Sequence, residues 1–480
     1  MSATITSSGQ NSPASSNRLL WLVAIGFFME TLDSTIVNTA LPSMAKSLNQ
    51  SPFLMQSVVI AYSLTIAVLI PASGWIADRF GTRRVFFSAI LLFTLGSLAC
   101  AISQTLPQLV FSRVLQGVGG AMMMPVGRLA VLRAFPANQF LRAISFVTIP
   151  ALIGPLIGPT LGGYLVEYAS WHWIFLINIP VGIIGCIATY IDMPDIRGVE
   201  VPKFDFAGFM MLSTCMVMIS FALDGLSELG FPHAVVLILA IFGLASLSAY
   251  WLHARRSERP LFSLKLFNSQ SYTIGLLGNL FARIGSSSMP FLIPLFLQIS
   301  MHYSPFEAGL TMIPVALAGI YAKKLGTPII LRLGYRRTLV YNTLCVGIMM
   351  ASFALITAEQ PKWIRILQLL VFGTVNSLQF TAMNTLTLKD LNAKLASSGN
   401  SLFSMVQMLA MSFGVAAAGA LLSTFASHYP AMEGGGMALQ AFRATFICMG
   451  LITCSSAWIF WQLPPEIMAR AEDPKKVTVE

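Results

Sequence analysis

Residues 74–84 read GWIADRFGTRR, one Asp and three Arg set between two long apolar runs. Residues 332–337 read RLGYRR. Arg79, Gly81, Arg83 and Arg84 return there as Arg332, Gly334, Arg336 and Arg337 at a constant offset of 253 (332 − 79), while Asp78 has no counterpart. The recurrence of the pattern at fixed spacing, in a chain with few charges, points to a duplicated unit.

Of the 480 residues 56% are hydrophobic and 10% charged, where a soluble protein carries about 25% charged residues. A water-soluble fold could not cover so much apolar surface, so lipid is the solvent for most of the chain. A net charge of +10 would suggest a nucleic-acid partner in a polar chain. Here the basic residues form short clusters between apolar runs, the pattern of membrane-orientation signals, and no nucleic acid is expected. Cys100, Cys186, Cys215, Cys345, Cys448 and Cys454 are scattered without a Cys-x-x-Cys pair. They read as buried inert thiols rather than disulfides or metal ligands. The Ser-rich tail, residues 1–18, reads as disordered. The apolar run after Arg18 is too long for a signal peptide and contains Glu30 and Asp33, so it reads as a retained span.

A membrane-crossing helix needs about 20 mostly apolar residues. Fourteen runs qualify, near 19–43, 56–77, 85–103, 106–132, 141–168, 172–193, 206–224, 233–254, 270–299, 305–322, 338–357, 363–388, 398–425 and 440–464. With the N-terminus inside, the inner connections hold Arg79, Arg83, Arg84, Arg133, Arg142, Arg197, Lys203, Arg255, Arg256, Arg259 and Lys265. They also hold Lys323, Lys324, Arg332, Arg336, Arg337, Lys389, Lys394, Arg470, Lys475 and Lys476, against Lys46, Lys362, Arg365 and Arg443 outside. That asymmetry places both termini in the cytoplasm.

The Arg-rich stretches follow spans 2 and 10, eight spans apart, where duplication of a six-helix unit alone would separate them by six. Two helices are therefore inserted, and spans 7 and 8, which follow the polar segment IDMPDIRGVEVPKFDFAG, are the candidates. The expected organisation is a tail (1–18), a six-helix bundle (19–196), a linker with two extra helices (197–265), a second six-helix bundle (266–464) and a tail (465–480). Parallel six-helix repeats are one way in which secondary transporters are built.

GWIADRFGTRR resembles the loop between the second and third helices of the major facilitator superfamily. LDSTIVNTALP (32–42) resembles the first-helix motif of that superfamily's fourteen-span drug:proton antiporters. RVLQGVGGA (113–121) resembles the fourth-helix motif and GPLIGPTLGG (154–163) the fifth-helix motif of exporters, and WHWIFLINIPVG (171–182) adds to the likeness. The resemblance covers nearly the whole chain. It implies an all-α membrane protein of the major facilitator fold. It also implies that residues 74–84 form a cytoplasmic latch between the halves, stabilising an outward-facing state, and that Gly154, Pro155, Gly158, Pro159, Gly162 and Gly163 form a hinge and seal.

The same residues carry physical expectations of their own. Gly74 permits close helix approach and Gly81 a tight turn. Asp78 ends a helix, where a carboxylate is disfavoured, so it should seek Arg partners. Gly154, Gly158 and Gly162 share one helix face on which two backbones can touch, and Pro155 and Pro159 each remove a backbone hydrogen bond.

Charges inside hydrocarbon are expensive and mark function. Glu30 and Asp33 share a face of span 1. By the helical rise, Asp33 lies about 21 Å from one end of its span and Arg113 about 10 Å from the other end of span 4, nearly the same depth. An Asp33–Arg113 or Glu30–Arg113 contact is expected. Burial raises a carboxylate's pKa and a nearby Arg lowers it, so alternating access could load and release a proton there. A static pair holding helices together is the plainer alternative. The offset maps Glu30 onto Arg283 (30 + 253), which could neutralise Glu30, contact substrate or serve structure alone. Asn38 and Gln116 join Arg283 as cavity or substrate candidates. His172, beside Trp171 at a span boundary, reads as interfacial.

No G-x-x-x-x-G-K-[ST], G-x-S-x-G or H-E-x-x-H occurs, so ATP-driven pumping and hydrolysis lack their residues. No enzyme activity, cofactor or metal is expected. The expected function is a proton-coupled secondary active exporter, a monomer in the inner membrane, with substrate bound between the halves. Its cargo reads either as several hydrophobic, often cationic drugs, favoured by Glu30 and Asp33, or as a specific organic anion or anionic metal chelate, favoured by Arg113 and Arg283. A sensor or scaffold would need a soluble signalling domain, and the tails are short.

Overall fold

The computed structural model describes residues 13–464 apart from 136, 198–200, 202, 226–232, 358, 391–392 and 429–435. Every regular element among the described residues is helical. Thirteen helices there are long and apolar enough to cross a bilayer, and the predicted fifth span lies within a further long helix, Ala137–Tyr168. The helix that holds span 1 runs from Pro13 to Ser47 and so overlaps the end of the tail expected over 1–18. Residues 1–12, the tail 465–480 with Arg470, Lys475 and Lys476, and part of the polar segment before span 7 lie outside the described residues, as do the side chains of Arg142, Lys323, Lys324 and Lys394. Of the cysteines only Cys100 and Cys215 are buried and Cys345 is exposed, so burial of all six is corrected, although all six are free thiols.

The duplicated stretch repeats in backbone conformation as well as in sequence. Span 2 (Gln56–Phe80) stops at Gly81, with φ 92° and ψ 147°, and span 3 (Thr82–Ala101) starts at once. In the second copy a connection was expected between spans 10 and 11. The structure keeps that junction but shortens it to Gly334, with φ 76° and ψ 164°, where two helices within Ile313–Ser352 meet as spans 2 and 3 meet at Gly81. LGTPIILRL (325–333) stays helical although it contains Gly326 and Pro328. Both glycines sit in a region of backbone space open essentially to glycine alone.

The Arg-rich connection is fastened to its own half. Asp78 pairs with Arg133 at the last turn of span 4 (Leu106–Ala134). Arg83 donates to the Met193 carbonyl. Thr82 donates to the Pro194 carbonyl at 2.7 Å and accepts from the Ile196 N–H at 3.1 Å. The Asp195 carboxylate covers Gly81 so closely that a Cβ there would lie 2.1 Å from Oδ1. In this conformation the partner that Asp78 needs at a helix C-terminus comes from span 4 of its own half. Gly74 is corrected, since a Cβ added there would meet nothing within 4 Å.

The glycine stripe of span 5 packs on span 1. A Cβ at Gly154, Gly158 or Gly162 would lie 2.4, 2.2 or 2.5 Å from Thr31 Oγ1, Thr35 Oγ1 or the Ile36 carbonyl. Contacts between the halves gather at the end of the bundle opposite the Arg-rich connections. Gly163 there abuts Pro305, Gly309 abuts Pro159, Gln298 donates to the Thr39 carbonyl at 2.9 Å, and the Phe306 N–H donates to Glu167 at 3.0 Å. The inserted spans 7 (Phe206–Gly225) and 8 (His233–Arg256) pack on each other, and span 7 also touches spans 2 and 13. Asp205 staples the insertion. It accepts from the Gly208 and Leu261 N–H groups, each at 2.9 Å, and pairs with His253 at 2.8 Å.

Gly81→Ala should lower the unfolding temperature of the purified protein by an amount equivalent to about 1–3 kcal/mol. Gly74→Ala should leave it unchanged. A thermal melt of both variants in detergent checks the pair, and equal melting of the two would contradict the assignment.

Candidate functional site

Asp33 and Arg113 meet in the middle of the first half. Arg113 Nη1 donates to Asp33 Oδ2 at 2.6 Å, and the two side chains are 1% and 0% exposed. The expected Glu30–Arg113 alternative is not formed. A guanidinium and a carboxylate this deep need every donor and acceptor matched, and the neighbouring helices supply them. Gln116 Nε2 donates to Asp33 Oδ1 at 2.8 Å and to Ser97 Oγ at 2.7 Å. Asn178 Nδ2 donates to the same two atoms at 3.1 and 3.3 Å. Arg113 also donates to Gln116 Oε1 at 2.6 Å and to the Val58 carbonyl at 3.2 Å, and stacks 4.2 Å from the Tyr62 ring. The node therefore ties spans 1, 2, 3, 4 and 6 together, while span 5 clasps span 1 through its glycines.

Backbone proximity makes this possible. Gly96 lets span 3 come so near span 4 that a Cβ would lie 2.5 Å from Gln116 Cα. Gly182 does the same between spans 6 and 3, where a Cβ would meet Thr94 Oγ1 at 1.9 Å.

Glu30, one turn from Asp33, is 5% exposed, and its Oε2 has no hydrogen-bond partner among the described residues. Arg128 is close enough to act on its charge. The Arg128 guanidinium lies 5.9 Å from the Phe27 ring of span 1, and Arg128 itself is exposed. The two acids of span 1 thus occupy different environments: Asp33 is saturated and Glu30 is not. Asn38 is buried with Oδ1 unbonded.

Arg283 does not reach Glu30, so the expected neutralisation is absent from this conformation. Its Nη2 donates to Asn279 at 3.2 Å and to Asn384 at 3.4 Å, and the guanidinium lies 4.0 Å over the Phe380 ring. Gln407 donates to the same Asn384 oxygen at 3.0 Å. Arg283 Nε is buried without a partner, and no carboxylate pairs with Arg283 among the described residues. His172 stacks on Trp171 at 3.8 Å.

Sequence reading missed Ser97, Asn178, Tyr62 and Arg128. Arg128 was visible as a charge inside an apolar helix, and Asn178 lay within a quoted motif. Ser97 and Tyr62 carried no local signal, because their role depends on which helices become neighbours.

A bundle of two repeated six-helix halves with ionised groups buried between helices is the architecture of a membrane transporter. A model of the Major Facilitator Superfamily matches residues 23–415, and the chain belongs to that family. Among curated relatives it is 52% identical, over 97% of this chain and 99% of the other, to the "Putative multidrug resistance protein MdtD" of Pectobacterium atrosepticum. It is also 52% identical to the protein of that name from Serratia proteamaculans, over 93% of each. Among solved structures it resembles a POT family transporter in complex with 5-aminolevulinic acid, with TM-score 0.69, 16% identity, and 93% and 96% of the two chains covered. A D-xylose-proton symporter gives TM-score 0.67 at 15% identity over 94% and 98%. At such identities these two likenesses show the fold alone.

Asp33→Leu or Arg113→Leu alone should cost about 3–5 kcal/mol of stability, because each strands a buried charge. The double variant should recover much of that loss. Thermal unfolding of the four proteins checks the cycle, with additive losses as the contrary result.

Proposed function

We propose that this chain is a proton-coupled exporter that moves hydrophobic, often cationic drugs out of the cell across the inner membrane in exchange for inward-moving protons. The observation that carries the reading is the contrast between the two acids of span 1. Asp33 is an ionised strut, fixed by Arg113, Gln116 and Asn178. Glu30 is buried with one oxygen unsatisfied and is the group that takes up and releases the coupling proton. An ionised carboxylate in that position lacks the bonds that stabilise Asp33, and its proton affinity follows its burial and its distance from cations. Movement of the halves, which changes exposure around Glu30 and Arg128, would alternate the two protonation states. The names of the MdtD relatives support multidrug cargo. The Arg-rich end faces the cytoplasm on this reading, as the distribution of basic residues favours.

A second reading, export of an organic anion or anionic metal chelate, is favoured by one observation: Arg283 has neutral amides and an aromatic ring for partners and no carboxylate. A planar guanidinium suits a carboxylate bidentately.

Uptake into inverted vesicles separates these. On the first reading, a lipophilic cation accumulates when the lumen is acidic, an uncoupler abolishes the accumulation, and Glu30→Gln removes it while leaving energy-independent exchange. Arg283→Ala keeps it. Accumulation by Glu30→Gln at the wild-type level would overturn the assignment of Glu30. Citrate uptake by the wild type, lost in Arg283→Ala, with no cation uptake by either, would establish the second reading.

A further inference from the structure

The halves lie side by side along two seams, span 2 against span 13 (Ala393–His428) and span 5 against span 10. The insertion treats them differently. Over the first seam, Leu212 and Met216 of span 7 are buried in one cluster with Ile66 and Ile70 of span 2 and Leu402 and Phe403 of span 13. Among the described residues neither inserted helix packs over the second.

A cavity of about 440 Å³ opens at that uncovered seam. Leu156, Ile157 and Tyr164 of span 5 form one wall, and Phe306, Ile313 and Leu317 of span 10 form the other. Ile157, Tyr164 and Leu317 are 41%, 49% and 51% exposed. No charged side chain lines the cavity. Two lining side chains carry a hydroxyl, Thr160 and Tyr164, and that of Thr160 donates to the Gly309 carbonyl at 3.2 Å. At its far end Tyr164, Tyr168 and Phe306 form an aromatic cluster with ring centroids 4.9 to 6.0 Å apart, the composition found where a span reaches the membrane interface.

We propose that this groove binds one acyl chain of a membrane phospholipid, and that it is shaped for that chain only while the far ends of the two halves are clamped together. The occupant follows from the walls and the medium. The groove lies within two membrane spans, is apolar throughout, and has a volume in the range of small-molecule pockets. A cationic drug would find no acid among the residues that line it. The dependence on conformation follows from the ownership of the walls. One belongs to each half, and they are joined where Gly163 meets Pro305 and Gly309 meets Pro159, contacts that leave no room for a Cβ. Lipid bound there favours the clamped arrangement, since only that arrangement presents the site. The inserted pair, by covering the opposite seam, confines this effect to one side of the molecule.

The test uses the full-length protein in nanodiscs containing a trace of phosphatidylcholine with a diazirine in its acyl chain, with adducts mapped by mass spectrometry. Labelling around Ile157 and Leu317 should exceed, by threefold or more, that of the more exposed face Leu237, Ile241 and Leu244 of span 8. Leu317→Trp, which fills the groove, and Gly163→Ala, which pushes the clamp apart, should each remove the excess and leave span 8 labelling unchanged. Equal labelling of groove and span 8 in the wild type would overturn the proposal, a result that needs no variant to fold. Displacement of the groove adduct by tetraphenylphosphonium would overturn it as well, by assigning the groove to cargo.

Discussion

Two full charges buried in a hydrocarbon-embedded bundle constrain everything around them. Asp33 and Arg113 are almost wholly removed from solvent, and an isolated ion in such a medium is far costlier than any single packing contact. The arrangement is tolerable because Gln116, Asn178 and Ser97 complete the hydrogen bonds and Tyr62 covers the guanidinium. Those partners come from different helices, so satisfying the charges fixes how spans 1, 2, 3, 4 and 6 sit together. The small residues serve the same end: Gly96 and Gly182 bring spans 3, 4 and 6 close enough for short amide and hydroxyl side chains to reach the node.

The second half repeats the first in outline but not in chemistry. Its interior polar contacts are made by neutral groups, with Asn342 donating to Gln379 at 2.9 Å and Gln379 donating to Thr343 at 2.6 Å. Arg283, half-buried, rests on amides and a ring, and the buried Arg365 donates to the Thr357 and Gln360 carbonyls. The Arg-rich motif shows the same drift. Gly81 and Gly334 keep one unusual backbone conformation, but the acid–base pair of Asp78 and Arg133 belongs to the first copy alone. On the proposed function, the first half is a rigid charged frame carrying one incompletely satisfied acid, and the second half offers a polarisable surface against which that frame moves.

The sequence made the span positions legible, because membrane length and hydrophobic runs are local properties. It also made the two special glycines legible, since a repeated Gly at a helix junction has one physical use. Matching depths pointed to a contact of Arg113 with Asp33 or Glu30, and the structure selects Asp33. The length of helix between the end of span 10 and Gly334 was not legible, because the break is set by one backbone position rather than by the charges beside it. The role of Gly74 was misjudged for a related reason: close approach depends on what packs opposite, and nothing does in this conformation. Ser97, Asn178 and Tyr62 became functional candidates only once five helices were placed around one point. The different standing of Glu30 and Asp33, three residues apart on one helix face, was also beyond local reading, since it is decided by the donors that other helices supply.

The central claim is that the strut and the proton carrier are separate groups, Asp33 and Glu30. Proton release on cargo binding tests it most directly, measured with a pH-sensitive dye on the detergent-solubilised protein at low buffer strength. The account predicts that the wild type releases protons when a transported cation is added and that Glu30→Gln binds the same cation with no release. A Glu30→Gln protein that released protons as the wild type does would contradict it.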